Sequence, residues 1–208
     1  MFSTLPNHYS EFIQWTWPQF EPYYQHLIER SISAGDVEAW LADWSHLGKL
    51  VSEAQSRLAV ANTLNTADAE AEQRYLTFLS DVFPHVQAAE QKLKQKLLAS
   101  GLEPAGFDIP LRNLRAEAAL FREINLPLLV EDRKLGTRYD KVIGAQTVHW
   151  EGQELTLQQM RPIAQQPDRA VRERAWRLAS DRWLADRAAI NELWTKTAPL
   201  GQQLARQA

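Results

Sequence analysis

Several histidines have a carboxylate at helical spacing, and such pairs could contribute to a metal site. Asp43 lies three residues before His46. His26 with Glu29 and Asp81 with His85 also have usable helical spacings. A carboxylate-bridged metal site in a helical bundle requires two Glu-x-x-His pairs and two further glutamates from facing helices. Each pair here stands alone, so the sequence favours ordinary surface contacts and predicts no metal ligand.

Motifs for other kinds of catalysis are incomplete or missing. Gly101 and Gly106 have the spacing of phosphate-binding-loop glycines, but Phe107 and Asp108 stand where that motif requires Lys and Ser or Thr. Neither the Gly-x-Ser-x-Gly of serine hydrolases nor the His-Glu-x-x-His of zinc peptidases occurs. The chain has no cysteine, which excludes disulfides, thiolate-bound zinc, iron–sulfur clusters and thiol catalysis. The sequence therefore predicts no catalytic, cofactor-binding or metal-binding residue.

Isolated acidic and aromatic side chains leave two weaker alternatives. A cryptic hydrolytic or metal site could use Glu117, Glu123 or Glu131, although none is spaced with a base, a ligand set or an oxyanion donor. Tyr139 and His149 lie near the one irregular region of the sequence and could line a channel. A surface or half-buried structural position is the favoured interpretation for both of these aromatic side chains.

Charge and composition restrict the partners. The 208 residues carry a net charge of −3, which disfavours nucleic acid as a main partner. The arginines of residues 169–187 alternate with acids, as on a solvated helix surface rather than an anion site. The clearest pairs are Glu173 with Arg177 and Arg182 with Asp186. Since the amino terminus lacks signal-peptide features and no stretch reaches about 18 apolar residues, we expect a soluble, cytoplasmic protein without a membrane partner.

The hydrophobic period of 3.6 residues predicts a mainly α fold. A first helix is predicted from Pro18 to Ser33, with Gly35 as its C-terminal cap and Asp36 as the N-cap of the next helix. Two apolar stripes then predict a long antiparallel helical hairpin over about 36–100, closed at the Asn65-Thr66 turn. The stripes are Val37, Trp40, Trp44, Leu47, Val51, Ala54, Leu58 and Ala61, then Tyr75, Leu79, Val82, Val86, Ala89, Leu93 and Leu97. Trp40 and Trp44, which both lie on the first stripe, are interpreted as core residues.

A kink in the second arm of the hairpin, a further helix and one short β-hairpin are also predicted. Pro84 should kink the second arm of the helical hairpin. A loop over Gly101–Pro110 should precede a helix from about Leu111 to Leu128. The hydrophobic period changes near 145–155, where Glu151-Gly152 would join two short strands.

The end of the chain is predicted to form helices as well. Thr156 and Gln159 have the pattern of a capping box, and Leu155 with Met160 has that of a hydrophobic staple. A last helix should run from Pro167-Asp168 to the end of the sequence. Its buried side is predicted to carry Trp176, Trp183, Ile190 and Trp194. A compact chain of 23.9 kDa should expose roughly 10,000 Å² of surface.

Several segments together resemble one family of peptidases. Residues Trp40–Leu47, followed by Val51-Ser52-Glu53, resemble the amino-terminal region of the oligoendopeptidase F and Pz-peptidase group, which are zinc metallopeptidases related to thimet oligopeptidase. Leu120–Leu128 resembles that group's helix before its hairpin. Thr147–Leu157 and Asp168–Trp176 resemble the hairpin and the helix that follow. The order and spacing of these segments agree across nearly the whole chain.

The resemblance implies a particular fold and reaction. Members of this family fold as two mostly helical lobes around a deep channel, where one zinc ion serves to cleave short peptides. The family's metal ligands are the two histidines of His-Glu-x-x-His and a downstream glutamate, and the motif glutamate is the general base. None of these positions exists in this sequence, so the resemblance assigns no catalytic or metal-binding residue here.

The resemblance therefore implies that 1–208 is an amino-terminal helical lobe without its catalytic lobe. It comprises the helical hairpin over about 36–100 and a helix, β-hairpin and long C-terminal helix over about 110–208. We expect this chain to bind no zinc, to be inactive alone and to self-associate, whereas short peptides are the substrates of the complete enzyme. The alternative is a free-standing, non-catalytic helical module that binds a peptide or a protein.

Overall fold

The computed structural model describes residues 2–6 and 8–207, and they are predominantly helical. Short 3₁₀ turns cover Phe2–Thr4 and Glu123–Asn125. The α-helices are α1 (Tyr9–Phe12), α2 (Trp17–Glu29), α3 (Val37–Leu64), α4 (Ala69–Asp81), α5 (Phe83–Ser100), α6 (Asp108–Leu120), α7 (Leu126–Gly144), α8 (Leu157–Ile163), α9 (Arg169–Ala185) and α10 (Arg187–Gln207). The strands are β1 (Thr147–Trp150) and β2 (Gln153–Thr156). The predicted mainly α fold with one β-hairpin is confirmed.

Helix α2 ends earlier than the sequence predicted. Its last residue is Glu29, and Arg30 rather than Gly35 is its C-terminal cap, so the predicted helix from Pro18 to Ser33 is too long. A contact from α5 explains the difference, because the Lys96 ammonium group donates hydrogen bonds to the carbonyls of Ile28 and Arg30. A cation at a helix C-terminus satisfies carbonyl groups that have no partner within the helix. Burial, then the nearby Arg30 charge, lowers the pKa of Lys96.

The predicted helical hairpin is formed by α3 and α4. Helix α3 is a single helix of 28 residues, and the chain turns between Asn65 and Asp68 before α4. The Asp68 carboxylate caps α4 by accepting hydrogen bonds from two of its first backbone N–H groups, each at 3.0 Å. Pro84 does not kink one long arm. It lies in the first turn of α5, where proline is tolerated because no N–H is needed, and α4 ends just before it.

Most of the core lies among the first seven helices. Trp40, Tyr24 and Phe20 are fully buried there, together with leucines of α2, α3 and α5. The Trp40 indole N–H donates to the Leu27 carbonyl at 2.9 Å, which satisfies its polar atom inside the core. Its assignment to the core is confirmed, whereas Trp44, on the same stripe, is half-buried.

The segment after α5 differs from the single helix predicted over Leu111–Leu128. Gly101 ends α5 in the left-handed conformation, at φ 68°, and the following loop is shorter than predicted because α6 begins at Asp108. Phe121 is extended and ends α6. Pro127 lies in the first turn of α7, so two helices replace the predicted one.

The β-hairpin has the predicted position and a second, smaller core beneath it. Val148 pairs with Leu155 and Trp150 pairs with Gln153 across the antiparallel strands. Glu151 and Gly152 both have positive φ, at 49° and 83°, as a two-residue turn between twisted strands requires. Val148, Trp150, Met160 and Ala175 form the second core, against which Leu155 packs.

The capping box at α8 is confirmed. The Thr156 backbone N–H donates to the Gln159 side chain at 2.8 Å, and the Gln159 N–H donates to the Thr156 hydroxyl at 3.3 Å. Met160 and Leu155 lie in the same hydrophobic cluster, which agrees with the predicted staple. This segment therefore carries its own start signal and connects the hairpin to α9.

The predicted last helix is divided into α9 and α10. Asp168 is the N-cap of α9, but the helix ends at Ala185 and α10 begins at Arg187. Asp186, between them, accepts hydrogen bonds from Gln146 at 2.9 Å and Arg182 at 2.6 Å. Both bonds lower the pKa of this carboxyl group. Gln146 is buried and lies just after the end of α7, so its bond to Asp186 attaches the α9–α10 junction to that end of α7. Helix α10 also packs against α7.

Two glycines of α7 make a matched test of this packing. A Cβ at Gly144 would lie 2.6 Å from the Thr66 methyl group, whereas a Cβ at Gly136 would meet nothing within 4 Å. We expect Gly144→Ala to lower the free energy of unfolding by about 1–3 kcal/mol through overpacking. Gly136→Ala should raise it by about 0.5–1 kcal/mol. Urea denaturation measures both, and equal effects would contradict the packing of α7 on the α3–α4 turn.

Candidate functional site

The tryptophans of the last two helices are exposed, although the sequence placed them on a buried side. Trp176, Trp183 and Trp194 have exposed fractions of 63%, 60% and 67%, and Ile190 is half-buried. The prediction was wrong because α9 uses another face for packing. Its Val171, Ala175 and Leu178 contact the second core. The apolar residues on the remaining face are left in solvent.

Trp176, Trp183, Leu184 and Trp194 make up what we call the α9/α10 apolar surface. Trp176 and Trp183 are seven residues apart, which places them on one stripe about 10 Å apart along the helix. Exposed ion pairs accompany them, including Glu173 with Arg177 at 2.8 Å. A contiguous exposed apolar patch with polar residues around it is typical of a surface that contacts another protein or segment.

The total surface of the chain is also larger than expected. Its accessible surface is 12847 Å², against roughly 10,000 Å² for a compact chain of this mass. The excess, about 2,800 Å², exceeds the roughly 800 Å² that each partner buries in a standard protein–protein interface. The sparse burial of α9 and α10 contributes to it, because Ala175 is the one buried residue among the described residues of both helices.

A groove of about 460 Å³ lies between α7 and α10. Tyr139 and Trp194 line it together with Leu135 and Ile190, and Asp132 adds a carboxylate. Tyr139 is 44% exposed, so it is placed on an accessible wall. His149, the other aromatic residue considered from the sequence, is exposed on strand β1 and does not line this groove.

A half-buried carboxylate on α5 was not found by sequence analysis. Glu90 accepts a hydrogen bond from the Tyr24 hydroxyl of α2 at 3.0 Å and one from the Trp44 indole N–H of α3 at 2.8 Å. A cavity of about 400 Å³ opens beside it between α3 and α5. Nearby, the Lys94 ammonium group pairs with Glu117 of α6 at 2.6 Å.

Burial controls the ionisation of this cluster. It raises the pKa of Glu90, although the hydrogen bonds from Trp44 and Tyr24 and the positive charge of Lys94 act in the opposite direction. The same burial, with the negative charge of Glu90, raises the pKa of Tyr24, so the phenol keeps its proton and remains a donor. A carboxyl group with a raised pKa beside a cavity is a candidate binding group.

The other carboxylates and histidines considered from the sequence are not brought together. Asp43 pairs with Arg30 at 2.7 Å instead of His46. Glu117 pairs with Lys94, and Glu123 and Glu131 are exposed. Among the described residues, no group of three or more His, Asp or Glu side chains could hold a metal ion. No chemical step is assigned to these residues.

No helix in the described part of the chain combines the length and the apolar character needed to cross a membrane.

The ion pairs predicted along α9 are present, namely Glu173 with Arg177 and Arg182 with Asp186. A third pair joins Arg174 to Glu151 of the β-hairpin turn at 3.0 Å. The arginines named here are thus engaged with acids, as the interpretation of a salt-bridged helix surface requires.

Comparisons with known proteins agree with this fold. The model of the Peptidase M3 N-terminal domain family matches residues 10–105. A solved structure described as Pz peptidase A with inhibitor 2 has a TM-score of 0.77 and 19% sequence identity to this chain. The similarity covers 100% of this chain and 37% of that one, so the chain spans little more than a third of the solved protein's length. No curated protein matches the sequence.

The two matches together support the amino-terminal region of an M3-family oligopeptidase. This confirms the family resemblance inferred from the sequence. The particular solved protein that the chain resembles is a Pz peptidase, and at 19% identity that likeness establishes the fold. Together with the family match over residues 10–105, it supports a peptidase-family lobe.

Removing the Glu90 carboxylate should destabilise the helical core. Glu90→Ala leaves the Tyr24 and Trp44 donors without their acceptor, which should lower the free energy of unfolding by about 1–3 kcal/mol per donor. Glu90→Gln retains an acceptor oxygen and should cost less. Urea denaturation at neutral pH distinguishes the two variants, and equal losses would contradict the role of the carboxyl oxygens.

The pH dependence of stability provides a second test of Glu90. Because its pKa is raised in the folded state, the native protein holds more protons than the unfolded chain above the ordinary value of 4.5. The protonated Glu90 carboxyl group therefore contributes to the free energy of unfolding. This contribution is fully present below pH 4.5 and is lost as pH rises through the raised pKa. We expect the stability of the wild type relative to Glu90→Gln to fall across this window. A flat difference would contradict the raised pKa.

Proposed function

We propose that this chain is the amino-terminal lobe of a zinc-dependent oligoendopeptidase that hydrolyses internal peptide bonds of short peptides. The family match over residues 10–105 and the fold likeness over the whole chain support this assignment. In the proposed arrangement, the lobe forms one wall of the substrate channel. Zinc and its ligands belong to a catalytic lobe that lies outside these 208 residues.

The exposed α9/α10 apolar surface is the observation that carries the proposal. Trp176 and Trp183 of α9, at 63% and 60% exposure, are unfavourable in water, and contact with a further lobe would remove them from it. The surface excess of about 2,800 Å² over a compact chain of equal mass leaves more than enough area for such a contact. The α7–α10 groove, with Tyr139 on its wall, is the part of the lobe that we assign to the channel.

The proposed domain organisation follows from this arrangement. Residues 1–208 form one lobe, in which the helical hairpin over about 36–100 holds most of the core and about 110–208 provides the contact to the catalytic lobe. Short peptides are the proposed substrates of the complete enzyme, without nucleic acid or membrane partners. We also propose a cytoplasmic location.

Extending the coding sequence tests the proposal directly. DNA sequencing beyond codon 208 should reveal a His-Glu-x-x-His motif in a predicted helix. The longer protein should cleave an internally quenched peptide, lose this activity to a chelator and recover it with zinc. The 208-residue chain should show no cleavage with or without zinc. A stop codon followed by unrelated sequence, or zinc-dependent cleavage by the 208-residue chain, would overturn it.

The α9/α10 apolar surface should cause self-association of the chain when it is studied alone. We expect Trp176→Gln with Trp183→Gln to reduce association, while the free energy of unfolding changes by no more than about 0.5 kcal/mol. Leu64→Gln is the matched control, because Leu64 is 81% exposed at the end of α3. Sedimentation velocity measures the effect. Unchanged association in the double variant would contradict the role of this surface.

A non-catalytic binding module is the second candidate function. The α7–α10 groove favours it, since its volume of about 460 Å³ is within the range of ligand pockets and its named walls are largely apolar. This candidate requires a monomeric chain that unfolds cooperatively and binds peptides in this groove without cleaving them. Size-exclusion chromatography and thermal melting of the 208-residue chain separate it from a lobe that self-associates.

A further inference from the structure

Residues 147–185 pack around a core of their own. They comprise the β-hairpin, α8 and α9, and we call them the β-hairpin unit. The buried residues of the second core, and the apolar residues that pack against it, all lie between Val148 and Leu178. The buried members of the large core all lie at or before Val130. Among the described residues, none of the β-hairpin unit therefore belongs to the core that holds the first seven helices together.

The polar contacts of the β-hairpin unit are internal, with one exception at its end. Arg174 of α9 pairs with Glu151 at 3.0 Å and lies 4.0 Å from the centre of the Trp150 ring. The exception is Arg182, which pairs with Asp186 at 2.6 Å. The other side-chain hydrogen bonds of the unit join its residues to one another. Within the described part of the chain, no ion pair or side-chain hydrogen bond connects the unit to α1–α7.

The two chain connections of the β-hairpin unit meet at one point. Gln146 follows α7 and precedes β1, whereas Asp186 separates α9 from α10. The Gln146 side-chain amide donates a hydrogen bond to the Asp186 carboxylate at 2.9 Å, so the two connections are adjacent in space. A hinge commonly consists of a few residues at the ends of elements, which absorb the change in backbone angles. Gln146 and Asp186 have the position of such a hinge.

The hydrogen bonding of Gln146 is incomplete in this arrangement. Its side chain is fully buried, and its amide nitrogen is bonded to Asp186. Its Oε1 atom is buried and has no hydrogen-bond partner among the described residues. A buried acceptor without a hydrogen bond is unfavourable by about 1–3 kcal/mol. Movement at this point that admits water would hydrate the Oε1 atom, which offsets part of the cost of breaking the bond to Asp186.

We propose that the β-hairpin unit moves as one rigid body relative to α1–α7 and α10, about a hinge at Gln146 and Asp186. Two packed bodies without a large shared apolar interface are expected to move relative to each other. The bond between Gln146 and Asp186 favours the arrangement described above, and breaking it releases the unit. The proposal concerns these 208 residues themselves and does not rest on the oligopeptidase assignment.

The hinge divides the α9/α10 apolar surface into two parts. Trp176, Trp183 and Leu184 lie on α9 and move with the unit. Trp194 lies on α10, which packs on α7 and stays with it. Motion at the hinge therefore changes the spacing between the two parts of this surface. A protein that contacts both parts would hold the unit in one position, because it binds that arrangement better than the others.

The lack of cysteine in the chain allows the motion to be measured with pairs of spin labels on introduced cysteines. The cross pair joins Lys49→Cys of α3 to Gln158→Cys of α8. Two control pairs each share one of these labels. The first is Lys49→Cys with Arg112→Cys of α6, and the second is Gln158→Cys with Asp181→Cys of α9. All four native side chains are exposed, so the labels should not disturb either core.

Pulsed electron spin resonance measures the distance distribution of each pair in the 208-residue chain. Dilution with unlabelled chain removes distances between molecules. We expect the distribution of the cross pair to be roughly twice as wide as that of either control pair, as motion about a hinge predicts. A cross-pair distribution as narrow as those of the controls would overturn the proposal, and this result requires no hinge variant to fold.

Gln146→Leu tests the hinge itself, because it removes the bond to Asp186 at similar side-chain volume. Loss of a hydrogen bond to a charged group should increase the minor population of the cross pair about tenfold. The control-pair distributions should not change. Gln165→Leu is the matched control, since Gln165 is an exposed glutamine of the same unit, and it should leave all distributions as in the wild type. An unchanged cross pair in Gln146→Leu would overturn the proposal.

Hydrogen exchange separates rigid-body motion from unfolding of the unit. In Gln146→Leu, exchange should become faster at the backbone N–H groups of Gln146 and Asp186, which are bonded to the carbonyls of Ile143 and Trp183. The amides of the two strands and of α9 should keep their protection. Loss of protection throughout 147–185 would overturn the proposal. Failure here leaves the peptidase assignment intact, since that is tested by the extended coding sequence.

Discussion

The arrangement of the first helices depends on one half-buried carboxylate. Glu90 stands on α5 and accepts hydrogen bonds from Tyr24 of α2 and Trp44 of α3, so three helices meet at one side chain. Burial raises its pKa, which means that its position is unfavourable for a charge and must be supported by these donors. Lys96, about 1.7 turns further along α5, reinforces the same contact by capping α2. Helix α5 therefore organises the core through polar as well as apolar contacts.

The two halves of the lobe are packed differently. The first seven helices share a large hydrophobic cluster, whereas the β-hairpin, α8 and α9 share a small one around Trp150 and Met160. Helix α10 has no buried residue in its described length and packs mainly on α7. A helix held by so little burial adds little stability alone, and its one tryptophan, Trp194, is largely exposed.

Local signals predicted the elements well, and distant contacts explain where they failed. The α3 stripe, the Glu151-Gly152 turn and the Thr156 capping box each depend on neighbouring residues, and each was predicted correctly. The end of α2 was misplaced because Lys96, far away in sequence, caps it. Glu90 was missed since its donors lie 66 and 46 residues away. Periodicity also cannot show whether an apolar stripe is covered, so Trp176 and Trp183 were wrongly placed inside.

The balance of charged and apolar groups on the α9/α10 apolar surface depends on ionic strength, because exposed ion pairs lie along both helices. Glu173 with Arg177 and Lys196 with Glu192 are largely exposed, and salt at about 0.15 M screens charges over roughly 8 Å. The tryptophans beside them are not screened, and excluded salts such as sulfate strengthen their tendency to leave water. As salt increases, the same surface therefore changes from a charged helix face to a mainly apolar one.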